Sequence, residues 1–155
     1  MRALDELIAD SPVFAGLAPS HLQLVAGCAR NEHVDAHTVL FRDGGSADRF
    51  FLIRSGAVAL EIAAPGRDAL VIGTLHEGDV VGWSWLFPPY RWHFDGRTTG
   101  PTGLIAFDGA CLRGKCDADH ELGYQLMQRF AASLIERLQA TRLQLLDVYG
   151  HAIAG

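Results

Sequence analysis

The sequence predicts a mainly β domain with flanking helices, which is an α+β fold. Short runs rich in Val, Ile, Leu and Phe fill residues 30–108, Gly, Asp and Pro turns separate them, and helical patterns occupy both ends of the chain. Strands that recur about every 8–12 residues are typical of a β-sandwich or barrel. At 155 residues we expect one domain, with N-terminal helices (1–29), a β-roll (30–108) and C-terminal helices (109–150).

The first two helices are predicted over residues 2–10 and 19–29. Pro19 suits the first turn of the second helix, and Leu22 and Val25 follow helical spacing within it. The predicted strands are 37–41, 49–55, 57–62, 69–75, 79–82 and 103–107. Gly-containing turns between these runs mark where each strand ends.

The last part of the chain predicts a brief helix after Asp108 and one long helix over 117–149, capped by Asp117 or Asp119 and ended by Gly150. The long helix carries a heptad seam of Met127, Ala131, Leu134, Leu138, Thr141, Leu145 and Val148. At 1.5 Å per residue it would be about 50 Å long, more than a small β-domain can cover. Part of the seam can pack on the protein's own sheet. We expect the remainder to form a parallel homodimer through Leu134, Leu138, Thr141, Leu145 and Val148.

Composition narrows the class of protein. The net charge of −5 argues against a broad nucleic-acid-binding surface. The sequence has neither an apolar run of about 18 residues nor an apolar signal core, so we expect a cytoplasmic protein without a membrane span. Its three cysteines, Cys28, Cys111 and Cys116, form no C-x-x-C pair and are expected to be reduced thiols. Because no metal-ligand cluster or catalytic motif is found, we expect no metal site and no enzyme activity.

All three tryptophans lie in one stretch, GWSWLFPPYRWHF, residues 82–94, which we call the aromatic segment. Its rings alternate with other residues on either side of Pro88-Pro89. Period-2 alternation predicts two short strands joined at the prolines, with Trp83, Trp85 and Phe87 on one face.

Four stretches of the sequence resemble the cyclic-nucleotide-binding domain, and more narrowly the sensor half of the Crp/Fnr (catabolite activator) family. They are SPVFAGLAPSHLQLVA, TVLFRDGGSADRFFLIRSGAVAL, LHEGDVVG and RLQATRLQLLDVYG. The resemblance implies a double-stranded β-helix, or jelly-roll barrel, followed by a long C-terminal dimerisation helix. The chain stops directly after that helix, at HAIAG, so we expect no helix-turn-helix domain.

The family's phosphate-binding cassette is altered here. Gly82 matches the cassette glycine, but Trp83 stands where the family has a Glu that holds the ribose, and an indole cannot accept hydrogen bonds from a diol. Arg91 is one or two residues short of the position of the phosphate-binding Arg, and Arg97 is the other candidate. Thr141 matches the Thr that faces adenine. The family also implies a short helix in the cassette, which conflicts with the two strands. Five residues are too few to decide between helix and strand by pattern, so both stay open, and in the helix Trp83 and Phe87 would share a face.

The sequence therefore predicts a stand-alone sensor that binds a small anionic or planar ligand, with cyclic AMP or another nucleotide-like molecule as the candidate. The expected ligand-binding residues are Gly82, Trp83, Ser84, Trp85, Arg91, Trp92, Thr141 and Arg142. A homodimer and a separate downstream protein partner are expected, without direct nucleic-acid binding. Two alternatives stay open: the aromatic rings fill the pocket and leave an interaction module, or the segment is an exposed docking patch for a partner.

Overall fold

The computed structural model describes residues 3–154. Two four-stranded antiparallel sheets form its body, with strand orders β1-β8-β3-β6 and β2-β7-β4-β5. The helices are α1 (Leu4–Ala9), α2 (Pro19–Ala26), α3 (Gly109–Ala118) and α4 (His120–Ala154). The strands are β1 (Ala29–Val34), β2 (Val39–Phe41), β3 (Arg49–Ser55), β4 (Val58–Ile62), β5 (Leu70–Leu75), β6 (Val80–Val81), β7 (Asp95–Thr98) and β8 (Thr102–Asp108).

The predicted fold class, mainly β with flanking helices, is confirmed, and all six predicted strands are present. The sequence patterns missed β1 and β7. Both are polar, with sequences ARNEHV and DGRT, yet β1 pairs along its full length with β8, and β7 pairs with β2 and β4. Hydrogen bonding to neighbouring strands therefore overrides the low β propensity of these residues. The helix expected over 19–29 ends at Ala26.

Two hydrophobic cores hold the layers together. One core lies between the helices and the β1-β8-β3-β6 sheet, where Phe50 contacts Phe107, Trp85 and Phe130 with ring-centroid distances of 4.4, 4.5 and 5.5 Å. The other core contains side chains from both sheets, including Phe41, Phe51, Val58, Leu60, Leu104 and Trp92. Each core therefore contains one buried tryptophan of the aromatic segment, Trp85 in the first and Trp92 in the second.

The C-terminal region contains the brief helix and the long helix that were predicted, as α3 and α4. Asp119 lies between them, so residues 117 and 118 belong to α3 and the long helix begins at His120. Asp119 has an extended backbone, and its Oδ1 accepts a hydrogen bond from the Leu122 N–H at 3.2 Å, which makes it the N-cap of α4. The prediction that Gly150 ends the helix is wrong, since α4 continues to Ala154.

Among the side chains of α4 that the structure describes (120–150), those that pack on the protein's own body lie in the first half of the helix. Leu122, Leu126 and Phe130 are buried at spacings of four residues and form its inner face. The predicted seam lies on a different side, where Leu138 is 50% exposed and Leu145 is 51% exposed. The seam therefore leaves a long apolar stripe uncovered. Among the described residues, no helix is long and apolar enough to cross a membrane.

The expectation of reduced thiols is wrong for two of the three cysteines. Cys28 and Cys111 form a disulfide across a sequence separation of 83 residues, and Cys116 is free. The fold places the junction between α2 and β1 beside the first turn of α3, a proximity that cysteine spacing in the sequence does not contain.

Candidate functional site

The aromatic segment folds as a series of turns, so the prediction of two strands around Pro88-Pro89 is wrong. The N–H groups of Leu86, Phe87 and Tyr90 donate to the carbonyls three residues earlier, at 3.0, 3.4 and 2.9 Å. The short cassette helix that the family implies is also absent from this fully described stretch. The turns send successive rings to different places, so period-2 alternation does not put them on one face.

Trp85 belongs to the core between the helices and the sheet. It is fully buried and stacks on Phe50 at 4.5 Å, and Ser84 beside it is also buried. Arg113 of α3 donates a hydrogen bond to the Trp85 carbonyl and lies over the Tyr90 ring at 4.1 Å. Trp85 is therefore a structural anchor, and Arg113 is the residue that ties the aromatic segment to α3.

Trp92 occupies the space beside Gly82. Its ring is 4% exposed and stacks on Phe41 at 3.8 Å, and its Nε1 donates to the Ser46 carbonyl at 3.1 Å. A Cβ on Gly82 would lie 2.5 Å from the Trp92 ring, and the φ of Gly82 is +100°, so only glycine fits here. A Cβ on Gly96 would collide with the Phe41 ring in the same way. Two glycines thus leave room for a stacked pair of aromatic rings.

Trp83, which the resemblance places at the position of the family's Glu, is half-buried between two other side chains. Its ring meets Phe94 edge to face at 6.0 Å, and the guanidinium of Arg137 lies 5.4 Å from its centroid. Arg137, on α4, also donates to the Val80 carbonyl at 3.1 Å. Burial lowers the pKa of Arg137, while the nearby Asp79 acts in the opposite direction. Arg137 therefore joins the long helix directly to the cassette.

The two arginines proposed for the phosphate lie on the surface. Arg91 is exposed and donates to the Gly44 carbonyl and the Ser46 hydroxyl at 3.3 and 3.4 Å. Arg97 forms an ion pair with Glu61 at 3.1 Å. The side chain of Arg91 thus bonds to the 42–46 turn, the same turn whose Ser46 carbonyl accepts the hydrogen bond of the Trp92 indole. Arg97 bonds to Glu61 on the neighbouring strand β4.

The helix residues proposed for the ligand are exposed as well. Thr141 donates its hydroxyl hydrogen to the Arg137 carbonyl at 2.9 Å, a bond within its own helix, and Arg142 is exposed beside it. The structure therefore brings Gly82 and Trp92 into contact and leaves the other proposed residues apart. The sequence patterns did not indicate Arg137, because it lies outside the heptad seam of α4. It continues the buried stripe, seven residues after Phe130, and this spacing is the signal that could have found it.

A cavity of about 310 Å³ lies between the aromatic segment and the two C-terminal helices. Its lining includes Leu86, Tyr90, Arg113, Cys116, His120 and Met127. Burial raises the pKa of the Cys116 thiol, and the charges of Asp117 and Asp119 raise it further. Among the residues that the structure describes, no group of three or more His, Cys, Asp or Glu side chains could hold a metal ion.

Comparisons with known proteins agree with this architecture. The family model described as "Cyclic nucleotide-binding domain" matches residues 31–119. A CRP-like cAMP-activated global transcriptional regulator from Mycobacterium tuberculosis is 27% identical over 148 residues, 94% of this chain and 63% of that protein. The chain thus spans less than two thirds of the length of the curated relatives it matches.

Solved structures give the same result. A structure described as that of a cyclic nucleotide-binding protein from Geobacter metallireducens matches with a TM-score of 0.79 and 26% sequence identity. The match covers 89% of this chain and 99% of the Geobacter chain. The catabolite activator protein from Thermus thermophilus has a TM-score of 0.69 and 22% identity, with 90% of this chain and 63% of its own covered. These similarities confirm the jelly-roll fold and the resemblance to Crp-type sensor domains.

Proposed function

This chain belongs to the cyclic nucleotide-binding domain family, and from that premise we propose that it is a regulatory sensor that passes a change at its cassette to helix α4. The observation that carries the proposal is the contact of Arg137 with Trp83 and the Val80 carbonyl. A ligand that moved the cassette would break or reposition this contact. The packing of α4 would then change with it.

The candidate ligand is a small planar or anionic molecule such as cyclic AMP, which the name of the mycobacterial relative also suggests. Such a ligand would compete with the Trp92 ring for the space beside Gly82. We propose that Trp92 acts as an internal competitor, so that nucleotide binding requires the indole to leave its stack with Phe41. The conformation described above would be the closed, ligand-free state.

The change in α4 would be read by a separate protein partner through a parallel homodimer. The apolar stripe on α4 and the apolar residues of the edge strand β5 support this proposal, since Leu145 and Val71 are each more than half exposed. Exposed apolar surface of this extent is typical of an interface. Light scattering on the purified chain tests the dimer, and a monomer at all accessible concentrations would contradict it.

Isothermal titration with cyclic AMP and with cyclic GMP tests the ligand. The proposal expects saturable heat, together with a change in tryptophan emission, because all three tryptophans lie in the aromatic segment. Titration of the Trp92→Ala variant in parallel separates a blocked site from a lost one. Absence of binding in both folded proteins would remove cyclic nucleotides as ligands.

A second candidate function is an interaction module that has kept the fold but not the ligand site. The tight packing of Trp92 against Phe41 and its hydrogen bond to the Ser46 carbonyl favour it. In that case α4 would keep one arrangement, and the partner would recognise a constant surface. Binding of a partner protein with the same affinity in the presence and absence of nucleotides would support this second candidate.

A further inference from the structure

The Cys28–Cys111 disulfide forms part of the wall of an open cavity of about 420 Å³ on the side of the molecule that carries the α2–β1 junction. Cys28 is buried, with 7% of its surface exposed, whereas Cys111 is half-buried. Cys111 is therefore the more exposed of the two disulfide residues that line this cavity. The cavity is too small for a folded protein and suits a molecule of a few tens of atoms at most.

The cavity wall carries charges of both signs around the two sulfurs. Arg30 and Arg49 supply guanidinium groups, and both lie within 4 Å of the Glu32 carboxylate. Asp48 and Asp108 line the same cavity, and the Asp108 Oδ1 accepts a hydrogen bond from the Cys111 N–H at 3.0 Å. A molecule that carries both a carboxylate and an ammonium group matches this lining better than one with a single charge or none.

We propose that Cys28–Cys111 is a site of reversible thiol–disulfide exchange with a zwitterionic low-molecular-weight thiol of the cysteine type. The thiolate of the small molecule attacks the Cys111 sulfur, the Cys28–Cys111 bond breaks, and Cys28 leaves as a thiolate that takes a proton from water. A second small thiol, as its thiolate, then attacks the mixed disulfide on Cys111, releasing the small disulfide and a Cys111 thiolate that is protonated. In total, two small thiols are oxidised to one disulfide and the protein bond is reduced to two thiols.

The position of the disulfide connects this reaction to the aromatic segment. Cys111 lies in the first turn of α3, and Arg113, two residues later, holds the Trp85 carbonyl and the Tyr90 ring. Cys28 lies outside α3, between α2 and β1. Reduction therefore releases a tether from the start of the helix that anchors the aromatic segment, and the tryptophan emission reports it.

The test uses the full chain, oxidised and free of added thiol, and follows thiol release and tryptophan emission after addition of L-cysteine. A parallel reaction uses 2-mercaptoethanol at the same thiolate concentration. The expected result is two new thiols per chain, a transient mixed disulfide on Cys111 seen by intact mass and peptide mapping, and an emission change with the same rate. The rate should rise with cysteine concentration and exceed that of mercaptoethanol. The Cys116→Ser variant should behave as the wild type.

The Arg49→Ala variant measures the contribution of the cavity charges. It should lose about two- to fivefold of the advantage of cysteine over mercaptoethanol, the range typical of an exposed charge contact. Arg54→Ala is the matched control, because Arg54 lies on the same strand but bonds to Asn31 outside the cavity wall, and should leave the ratio unchanged. The proposal is overturned if release is independent of thiol concentration, which would mean that global unfolding precedes attack. It is also overturned if the bond resists millimolar cysteine in the folded protein, if the two thiols react equally, or if emission does not change.

Discussion

Replacement of Trp92 by alanine should open the cassette to a nucleotide. Burial of a tryptophan removes about 150–250 Å² of surface from water, which at about 25 cal/mol per Å² stabilises the closed state by about 4–6 kcal/mol. The hydrogen bond from Nε1 to the Ser46 carbonyl adds about 0.5–1.5 kcal/mol. Because each 1.4 kcal/mol is about tenfold in affinity, a ligand that must displace the Trp92 ring would lose up to about 10³–10⁵-fold in affinity. The apolar surface that the ligand itself covers would reduce this loss.

The assay is isothermal titration of cyclic AMP into the wild type, Trp92→Ala and Trp85→Ala at a temperature where circular dichroism shows all three folded. Both variants lose a large buried ring and should be destabilised by about 3–5 kcal/mol. Only Trp92 lies beside Gly82, whereas Trp85 fills the other core. We therefore expect Trp92→Ala alone to tighten binding, by at least about tenfold. Equal affinity in the wild type and Trp92→Ala, or an equal gain in Trp85→Ala, would refute the idea that Trp92 competes with the ligand.

Three further predictions concern α4 and the free cysteine. Arg137→Ala should lower the free energy of unfolding by about 1–3 kcal/mol, because it removes a charged hydrogen bond and a cation–π contact. It should also red-shift the emission of Trp83. Urea titration measures the loss of stability, and the control Arg142→Ala, on the exposed part of the helix, should change the free energy of unfolding by less than about 0.5 kcal/mol. Leu145→Glu should convert a dimer into a monomer in light scattering, whereas Gln139→Glu, outside the seam, should not; unchanged mass in both would place the dimer elsewhere. Since burial raises the pKa of Cys116, its alkylation by iodoacetamide should be slower than that of free cysteine at pH 8, and its rate should still rise with pH above pH 9. A rate equal to that of free cysteine at both pH values would contradict a raised pKa for the Cys116 thiol.

The β-strands were predictable where their side chains are buried. RFFLIRS became β3 over Arg49–Ser55 as predicted, because its apolar residues fill both cores. The polar strands β1 and β7 were missed because their place in the sheets depends on partners distant in the sequence: Arg30, for example, pairs with Ala106. Pairing over such a distance is a property of the fold and leaves no local signal.

The candidate site was predictable in its location but not in its geometry. The resemblance placed the cassette at Gly82, and the structure brings Trp92 against this residue. Alternation of rings predicted strands, but hydrogen bonds three residues apart turned the segment and separated Trp85 from Trp92. Arg91 has the residue type and nearly the spacing of a phosphate-binding arginine. Its partners on the 42–46 turn decide where it points, and spacing alone contains no information about them.

Gly82 illustrates how a motif residue can persist while its task changes. A sequence does not show whether a glycine is needed so that a phosphate can approach the backbone or so that an indole has room. Here the Trp92 ring leaves no room for a Cβ at position 82. Gly96 has the matching role towards Phe41. A glycine at position 82 therefore fits the family pattern whether the space beside it is empty or filled by an aromatic ring. A better diagnostic for related chains is the joint presence of both glycines with aromatic residues at the positions of Phe41 and Trp92. A larger residue at either glycine would collide with the ring beside it, so this stacked pair requires both glycines.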